Sequence, residues 1–385
     1  MKPSILQDDT HTAFRRSVQD MIEEHITSKA DSWRKEGVFP EHLLKLCGDK
    51  GFLGISQPTE LGGGGRDFWH EVVLAEELAR CGVTGWTLSV LAQTNMLIPL
   101  LKDLAKGAKQ KDILTSAIAG EYYFGLAATE PTSGSDMVNI STEARAGNNS
   151  FVLNGEKQYI TNGSVADYVI VLAKTTKEKT ADNGPWSLSL ILVDTSLSGV
   201  KQKHLDTIGL KTGDTGYLSF SDVVVPEDQL LGQKSRGLPY LLDGLQRERL
   251  IGAVAVVALA DQVLERTLDY LQETNRYQKP LTEKQVIRHR LVEMRAKLES
   301  ARQFTYNTCA AYQQGDGVDE EILMLKIHAY QTAQDIISRC AHLHGARSFL
   351  ADSWISHILR DSQAFTFAAG TPEVMRDLLS KHMQI

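Results

Sequence analysis

A chain of 385 residues has room for two or three domains and buries roughly three quarters of its unfolded surface, so it needs no disulfide or metal staples. An apolar fraction of 42% argues against disorder, and a net charge of −7 with no basic block or basic–aromatic stripe argues against a nucleic-acid partner. Four scattered cysteines (Cys47, Cys81, Cys309, Cys340) form no C-x-x-C pair, which predicts free thiols in a reducing compartment rather than structural zinc.

The N-terminal MKPSILQDDTHT has acidic residues and no long apolar core, unlike a signal or transit segment. No run of about eighteen apolar residues is present to span a bilayer. The expectation is a cytoplasmic enzyme, or a mature form from which a targeting segment has been removed.

Residues 1–122 are predicted to be helical. AFRRSVQDMIEEHI and HEVVLAEELAR repeat apolar residues at helical spacing, and WTLSVLAQTNMLIPLLKDLA is apolar enough for a buried helix. The four glycines of ELGGGGRD lack the Lys-Ser/Thr of a phosphate loop, so a tight backbone passage between helices is expected there. Over 123–233 the period changes to two. FVLNGEKQYIT, DYVIVLAKT, WSLSLILVD and GYLSFSDVVV are strand-like, with turn clusters AGNNS and ADNGP between them. From 234 to 385 the helical period returns, with long helices near 239–275, 282–313 and 319–344. IGAVAVVALA in the first is apolar on every face and must be buried all round. The predicted fold class is α+β: an N-terminal helical domain, a middle antiparallel β domain and a C-terminal four-helix-bundle domain.

Two stretches carry candidate chemistry. LAATEPTSGSDM (126–137) sets Thr129, Thr132, Ser133 and Ser135 among small residues, a density of hydroxyls and free N–H groups suited to a pyrophosphate or the polar edge of a flat heterocycle. The same composition suits a plain interdomain loop. In GEKQYITNG (155–163), strand alternation puts Tyr159 and Thr161 on one face, an aromatic plate beside a hydroxyl. A surface cross-strand pair is the other reading.

These two motifs, in this order, resemble those of the acyl-CoA dehydrogenase family, where they border the isoalloxazine ring of FAD. LGGGGRDFWHEVVLAEELAR, GLKTGDTGYLSFSDVVVPEDQLLG, KPLTEKQ and HLHGARSFL…LRDSQAFTFAAGTPEV extend the resemblance over residues 10–385. It implies FAD as cofactor and a homotetramer (or dimer) whose neighbours share the cofactor sites. The implied reaction is α,β-dehydrogenation of an acyl thioester, with an electron-transferring flavoprotein as the expected acceptor. Leu126, Ala128, Thr129, Gly134, Ser135, Tyr159, Thr161, Gln285, Thr371 and Glu373 then match cofactor-contacting positions.

Many relatives carry the catalytic base in a Y-E-G-T sequence, but here those positions are Ala368, Ala369, Gly370 and Thr371. Alanine cannot take a proton, though its N–H can still serve the thioester oxygen. A second pattern, similar to the long-chain and isovaleryl branches, sets the base in E-R-L on the helix after the β domain. That makes Glu248 of GLQRERLIG the expected base, with Ser135, Gln246, Arg249, Ala369 and Gly370 around the substrate. Taken alone, Glu248 also reads as a first-turn glutamate favoured by the helix dipole. Its pKa is expected to be raised by desolvation and lowered by Arg249.

Departures qualify the resemblance. Tyr159 replaces a tryptophan, and the arginine that commonly meets the neighbour's pyrophosphate falls at Thr274, with Arg276 as its substitute. The adenine-side loop, usually Q-x-x-G-G-x-G, reads His342 to Ser348: His342 replaces the amide, Gly345 is kept, and Ala346 and Ser348 stand where two glycines are lost; no metal is expected at its histidines. Two other outcomes stay open: an oxygen-using flavin oxidase or monooxygenase, and a non-catalytic subunit of a dehydrogenase. So does the choice between coenzyme A and a carrier protein as thioester carrier.

Overall fold

Helices occupy both ends of the chain and strands its middle. The computed structural model describes residues 8–37, 39–176, 187–276 and 278–385, and the expected ADNGP turn at 181–185 lies outside them. The first helices are α1 (Asp9–Ile22), α2 (Ala30–Glu36), α3 (His42–Asp49), α4 (Phe68–Arg80), α5 (Thr84–Ala92), α6 (Ile98–Leu104) and α7 (Ala108–Ile118). A π-helical segment, Gln93–Leu97, joins α5 to α6. Side-chain caps fix the entries: Asp8 accepts from the N–H groups of Thr10 and His11, and Asp67 from that of His70. The glycine stretch is a backbone passage. The N–H groups of Gly63, Gly64, Gly65 and Arg66 donate to carbonyls of residues 54–58 and are not available to a phosphate.

The strands are β1 (Phe124–Ala127), β2 (Glu143–Ala146), β3 (Ser150–Thr161), β4 (Tyr168–Thr176), β5 (Ser187–Asp194), β6 (Val200–His204), β7 (Thr215–Pro226) and β8 (Leu230–Leu231). They form one sheet ordered β6-β7-β3-β2-β4-β5-β8, with β1 against β4. Most pairings are antiparallel; β1 runs parallel to β4, and Glu143 of β2 pairs parallel with Lys174. The unbroken apolar runs in β4 and β5 follow from burial on both faces. Ile170, Leu172, Leu190 and Leu192 join the helical core, while Val169, Val171, Ile191 and Val193 join a second core with Phe151 and Phe220.

The C-terminal bundle contains α8 (Gly237–Glu273), α9 (Gln285–Gln314), α10 (Asp319–Leu343), α11 (Trp354–Asp361) and α12 (Pro372–His382), with a short β9–β10 ribbon (Asn275–Arg276, Lys279–Pro280) before α9. The helix expected from 282 begins at Gln285 because Leu281–Glu283 form a 3-10 turn after Pro280. Helix α8, 37 residues and roughly 55 Å long, packs against α4, α9, α10 and the α5–α6 segment. That placement buries every residue of Ala253–Ala260.

Asn162 fastens helices to sheet. Fully buried, with φ of 62°, it accepts from the Ser89 hydroxyl of α5 and donates through Nδ2 to Phe124 O (3.1 Å), while its N–H reaches Asp214 O (3.1 Å). Asparagine tolerates the left-handed backbone better than most residues. Asn162→Ala strands a hydroxyl and a carbonyl and strains the turn. It is expected to lower the unfolding free energy by about 2–4 kcal/mol, read from the urea midpoint at unchanged slope.

Candidate active site

A narrow cavity lies between α5 with its π-helical extension, α8, α10 and the chain before α12. Its walls are mostly apolar: Leu88, Leu91, Ile251, Ala255, Val256 and Leu259 suit an aliphatic chain. Glu248, Tyr330, Ala368 and Ala369 also line it. A methyl group on Gly252 would collide with the Tyr330 hydroxyl, so the glycine is what lets that ring lie across α8 one turn beyond Glu248.

Because α8 starts at Gly237, Glu248 sits about three turns in, and the helix dipole of a first turn does not account for it. Glu248 is half-buried, lines the cavity, and its carboxylate accepts no hydrogen bond from any described residue. Burial raises its pKa, with Lys326 first and Arg249 second pulling it back.

The loop facing Glu248 is held in an uncommon conformation. Ala369 has φ of 55° and Gly370 φ of 100°. Ala368 N–H bonds to Ala364 O (3.1 Å) and Gly370 N–H to Phe367 O (3.3 Å), whereas the Ala369 N–H between them has no acceptor among the described residues. Two cations hold the carbonyl side. Lys326 Nζ donates to Ala368 O (2.6 Å) and Phe365 O (3.3 Å), and Arg249 Nε donates to Ala369 O (3.0 Å). Lys326 is 1% exposed and lies 3.5 Å from the Tyr330 ring centroid. Burial pushes its pKa down to about 7, opposed by Glu248. Gln246 sits behind the clamp, accepting from Arg249 Nη1 (2.7 Å) and donating to Asp319 (2.9 Å).

At the sheet edge, a buried ion pair joins the two polar motifs. Lys157 Nζ meets Glu130 Oε1 at 3.0 Å and donates to Ala128 O at 2.9 Å, both side chains being inaccessible. Glu130 also accepts from the N–H groups of Ser141 and Thr142 and from the Ser141 hydroxyl. Against the cost of burial, these partners draw its carboxyl down to about 2. Gln158 N–H closes the joint on Thr129 O (2.9 Å). A register break between Lys157 and Ile160 gives Tyr159 a φ of 61° and leaves it 64% exposed, with Thr161 exposed beyond the buried Ile160. The hydroxyls of Thr129, Ser135 and Thr161 make no hydrogen bond to described residues, and the space around Gly134 is open. An exposed aromatic plate with unused donors and acceptors fits a flat heterocycle with an N–H/C=O edge. Helix α5 connects this edge to the cavity, touching Asn162 through Ser89 while Leu88 and Leu91 line the cavity.

The other sequence-predicted residues lie apart from the cavity. Gln285 is exposed at the start of α9, His342 is exposed in the last turn of α10, and Gly345 and Ala346 are exposed after it. Thr371 is the N-cap of α12, accepting from Val374 N–H (3.3 Å), and Glu373 pairs with Arg376 at 3.1 Å. The side chain of Arg276 lies outside the described residues. One close group of potential metal ligands exists among the described residues, His11, Asp67 and His70, in which Asp67 accepts from both rings. Sequence reading missed Lys326, Tyr330 and Asn95. The available signals were a lysine in the apolar stripe Ile322–Lys326–Ala329–Ala333 and the polar trio Gln93-Thr94-Asn95 inside an apolar run.

Comparison with known proteins matches three family models: "Acyl-CoA dehydrogenase, N-terminal domain" over residues 8–121, the middle domain over 125–223 and the C-terminal domain over 235–384. The chain is 29% identical over 374 residues to the long-chain specific acyl-CoA dehydrogenase of Sus scrofa, covering 97% of this chain and 86% of the relative. It is 30% identical over 372 residues to the isovaleryl-CoA dehydrogenase of Pongo abelii, covering 96% and 87%. Among solved structures, an acyl-CoA dehydrogenase from Geobacillus kaustophilus superposes with a TM-score of 0.94 at 27% identity, covering both chains fully.

Lys157→Met leaves Glu130 buried without its cation. The expected loss is about 3–5 kcal/mol of unfolding free energy, measured by urea denaturation. A loss below about 1 kcal/mol would show that the pair does not hold the loop.

Proposed function

The chain belongs to the acyl-CoA dehydrogenase family of FAD-dependent oxidoreductases acting on CH–CH groups, and from that premise we propose that Glu248 is its catalytic base. The observation that carries the proposal is the pairing of the unpartnered Glu248 carboxylate with the unused Ala369 N–H on one cavity wall. The acyl chain lies along the apolar wall with its thioester oxygen on the Ala369 N–H. Glu248 takes the α-proton as that C–H bond breaks. The Ala369 N–H stabilises the negative charge that develops on the thioester oxygen, and the electron pair becomes the α,β double bond as the β-hydrogen leaves. Bound FAD supplies the acceptor for that hydride, at N5.

For the cofactor, Tyr159 supplies a stacking surface, and Thr129, Ser135 and Thr161 supply hydrogen bonds; Leu126, Ala128 and Gly134 leave the edge open. Gln285, Arg276, His342, Gly345, Ala346, Thr371 and Glu373 are assigned to the cofactor's outer contacts in a homotetramer. Support for assembly comes from large apolar side chains left in water near that loop, Phe349 at 93% and Leu350 at 61% exposure. Ser135, Gln246, Arg249 and Gly370 complete the thioester end. An electron-transferring flavoprotein is the proposed acceptor. No described helix is long and apolar enough to cross a membrane.

Glu248→Gln is expected to keep its flavin and lose roughly 10²–10⁴-fold in the rate of anaerobic bleaching by a saturated acyl thioester. Undiminished bleaching would remove Glu248 from the role. The base works ionised, so the rate falls as pH drops through its raised pKa. Lys326→Met removes the strongest opposing charge, and the acid limb of the pH–rate profile should therefore move to higher pH. An unmoved limb would show that Lys326 does not tune the base.

A further inference from the structure

Two polar side chains of the cavity lining, Asn95 and Thr84, have buried atoms with no hydrogen-bond partner among the described residues, and Asn95 is the one whose whole amide is unmet. Asn95 is 1% exposed and lines the same space as Glu248, and neither Oδ1 nor Nδ2 has a partner among the described residues. Its neighbours are satisfied. Gln93 donates to Tyr122 O (2.8 Å) and accepts from Phe124 N–H (3.1 Å), and the Thr94 hydroxyl donates to Phe52 O (3.2 Å). All three lie on the π-helical segment Gln93–Leu97, a widened turn of the kind that often marks functional positions. A buried amide with both ends unmet is costly unless something supplies the missing partner.

Its position along the cavity follows from the packing. Arg80 pairs with Asp261 and Glu265 of α8, while Met96 and Leu100 lie against Gly244. The chain from 80 to 100 thus runs antiparallel to α8, which puts Asn95 beside the turn that carries Glu248. A partner for it would sit close to the reacting carbons, not at the far end of the acyl chain.

Resting on the reading of this cavity as the acyl site, we infer that Asn95 recognises an uncharged substituent that both donates and accepts hydrogen bonds. A hydroxyl or carboxamide a carbon or two beyond the β-carbon of the acyl chain has that chemistry. The amide needs a donor for Oδ1 and an acceptor for Nδ2. A carboxylate offers only acceptors and an ammonium only donors, so each leaves one end unmet. Lys326 and Arg249 already serve the carbonyls of residues 365, 368 and 369 and are not spare counter-ions. The remaining wall is mostly apolar, with Thr84 and Thr87 as further polar side chains, and takes the rest of the chain. A site that hydrogen-bonds a substituent rejects the analogue lacking it far more strongly than an apolar pocket rejects an extra methylene.

The test compares pentanoyl-CoA with 4-hydroxypentanoyl-CoA and 5-hydroxypentanoyl-CoA. Dissociation constants are measured by calorimetry on flavin-loaded Glu248→Gln protein, in which the expected slowing of the reaction leaves binding to be read first. One hydroxylated thioester should bind at least about tenfold tighter than pentanoyl-CoA, and Asn95→Leu in the same background should bring the ratio to within about twofold of one. Equal binding of all three, binding of none, or a preference that survives Asn95→Leu would overturn the inference. A stability measurement guards against misfolding. Leucine is close in size and removes both unmet atoms, so ligand-free Asn95→Leu should melt no lower than the parent; a fall beyond about 5 °C would mean the amide is partnered and defeat the premise. Bleaching of the unsubstituted Glu248 protein reads the dehydrogenation separately. A hydroxylated thioester that binds preferentially yet never bleaches would sink the proposed reaction and leave the assignment of Asn95 standing.

Discussion

The site depends on two cations that grip two successive carbonyls. Lys326 holds Ala368 O and Arg249 holds Ala369 O, and between them the backbone turns through a left-handed alanine. That conformation costs about 1–2 kcal/mol in a residue with a Cβ and persists only where the surroundings fix it. Burying an ammonium is dearer still, which is why Lys326 is brought down to about 7 and its nitrogen spends its hydrogens on carbonyls at the end of a 3-10 turn. The return is a single N–H, that of Ala369, a residue of the cavity lining, left with no acceptor among the described residues.

The same clamp conditions Glu248. A carboxylate with no hydrogen bond, in a mostly apolar cavity, would hold its proton and cease to be a base. Lys326 and Arg249 oppose that rise from nearby without forming an ion pair within 4 Å. An ion pair would have fixed the carboxylate and removed its basicity. Charge at a distance keeps it ionisable and leaves its oxygens free. At the sheet edge the opposite device operates, since Glu130 is tied down completely and serves only to fix the loop that leads to Thr129 and Ser135.

How much of this was legible in the sequence follows from how local each signal is. The all-round apolar helix over Ala253–Ala260 and the period-two runs of β4 and β5 were readable because burial repeats along them. Glu248 stands out as a candidate base only when the Ala368-Ala369 pair is set beside the distant E-R-L pattern. Lys326 was not, because its partners lie about 40 residues later on a loop and its own helix shows only a lysine among apolar residues. The exposure of Tyr159 and Thr161 followed alternation, but the left-handed backbone at Tyr159 arises from a register break with β7 that no pattern within β3 announces. The double role of Asn162, at once a left-handed turn residue and a tie to α5, required knowing where Ser89 falls.

Putting the carboxylate on α8 divides two tasks that a loop glutamate would combine. A base on the loop would have to set its own side chain and offer its own N–H from one residue in a strained turn. With the proposed base on a long helix packed on several sides, Glu248 inherits the rigidity of α8, and the loop residue needs nothing beyond its backbone. Alanine then suits positions 368 and 369, because any larger side chain would enter the cavity that both residues line. Tyr330 and Gly252 complete the division. The glycine admits the ring, the ring carries the Lys326 ammonium on its face, and the ammonium holds the loop. Glu248, Gly252, Tyr330, Lys326 and Ala368 thus form one mechanical chain, in which the helix that carries the proposed base also sets the position of the loop that bears the Ala369 N–H.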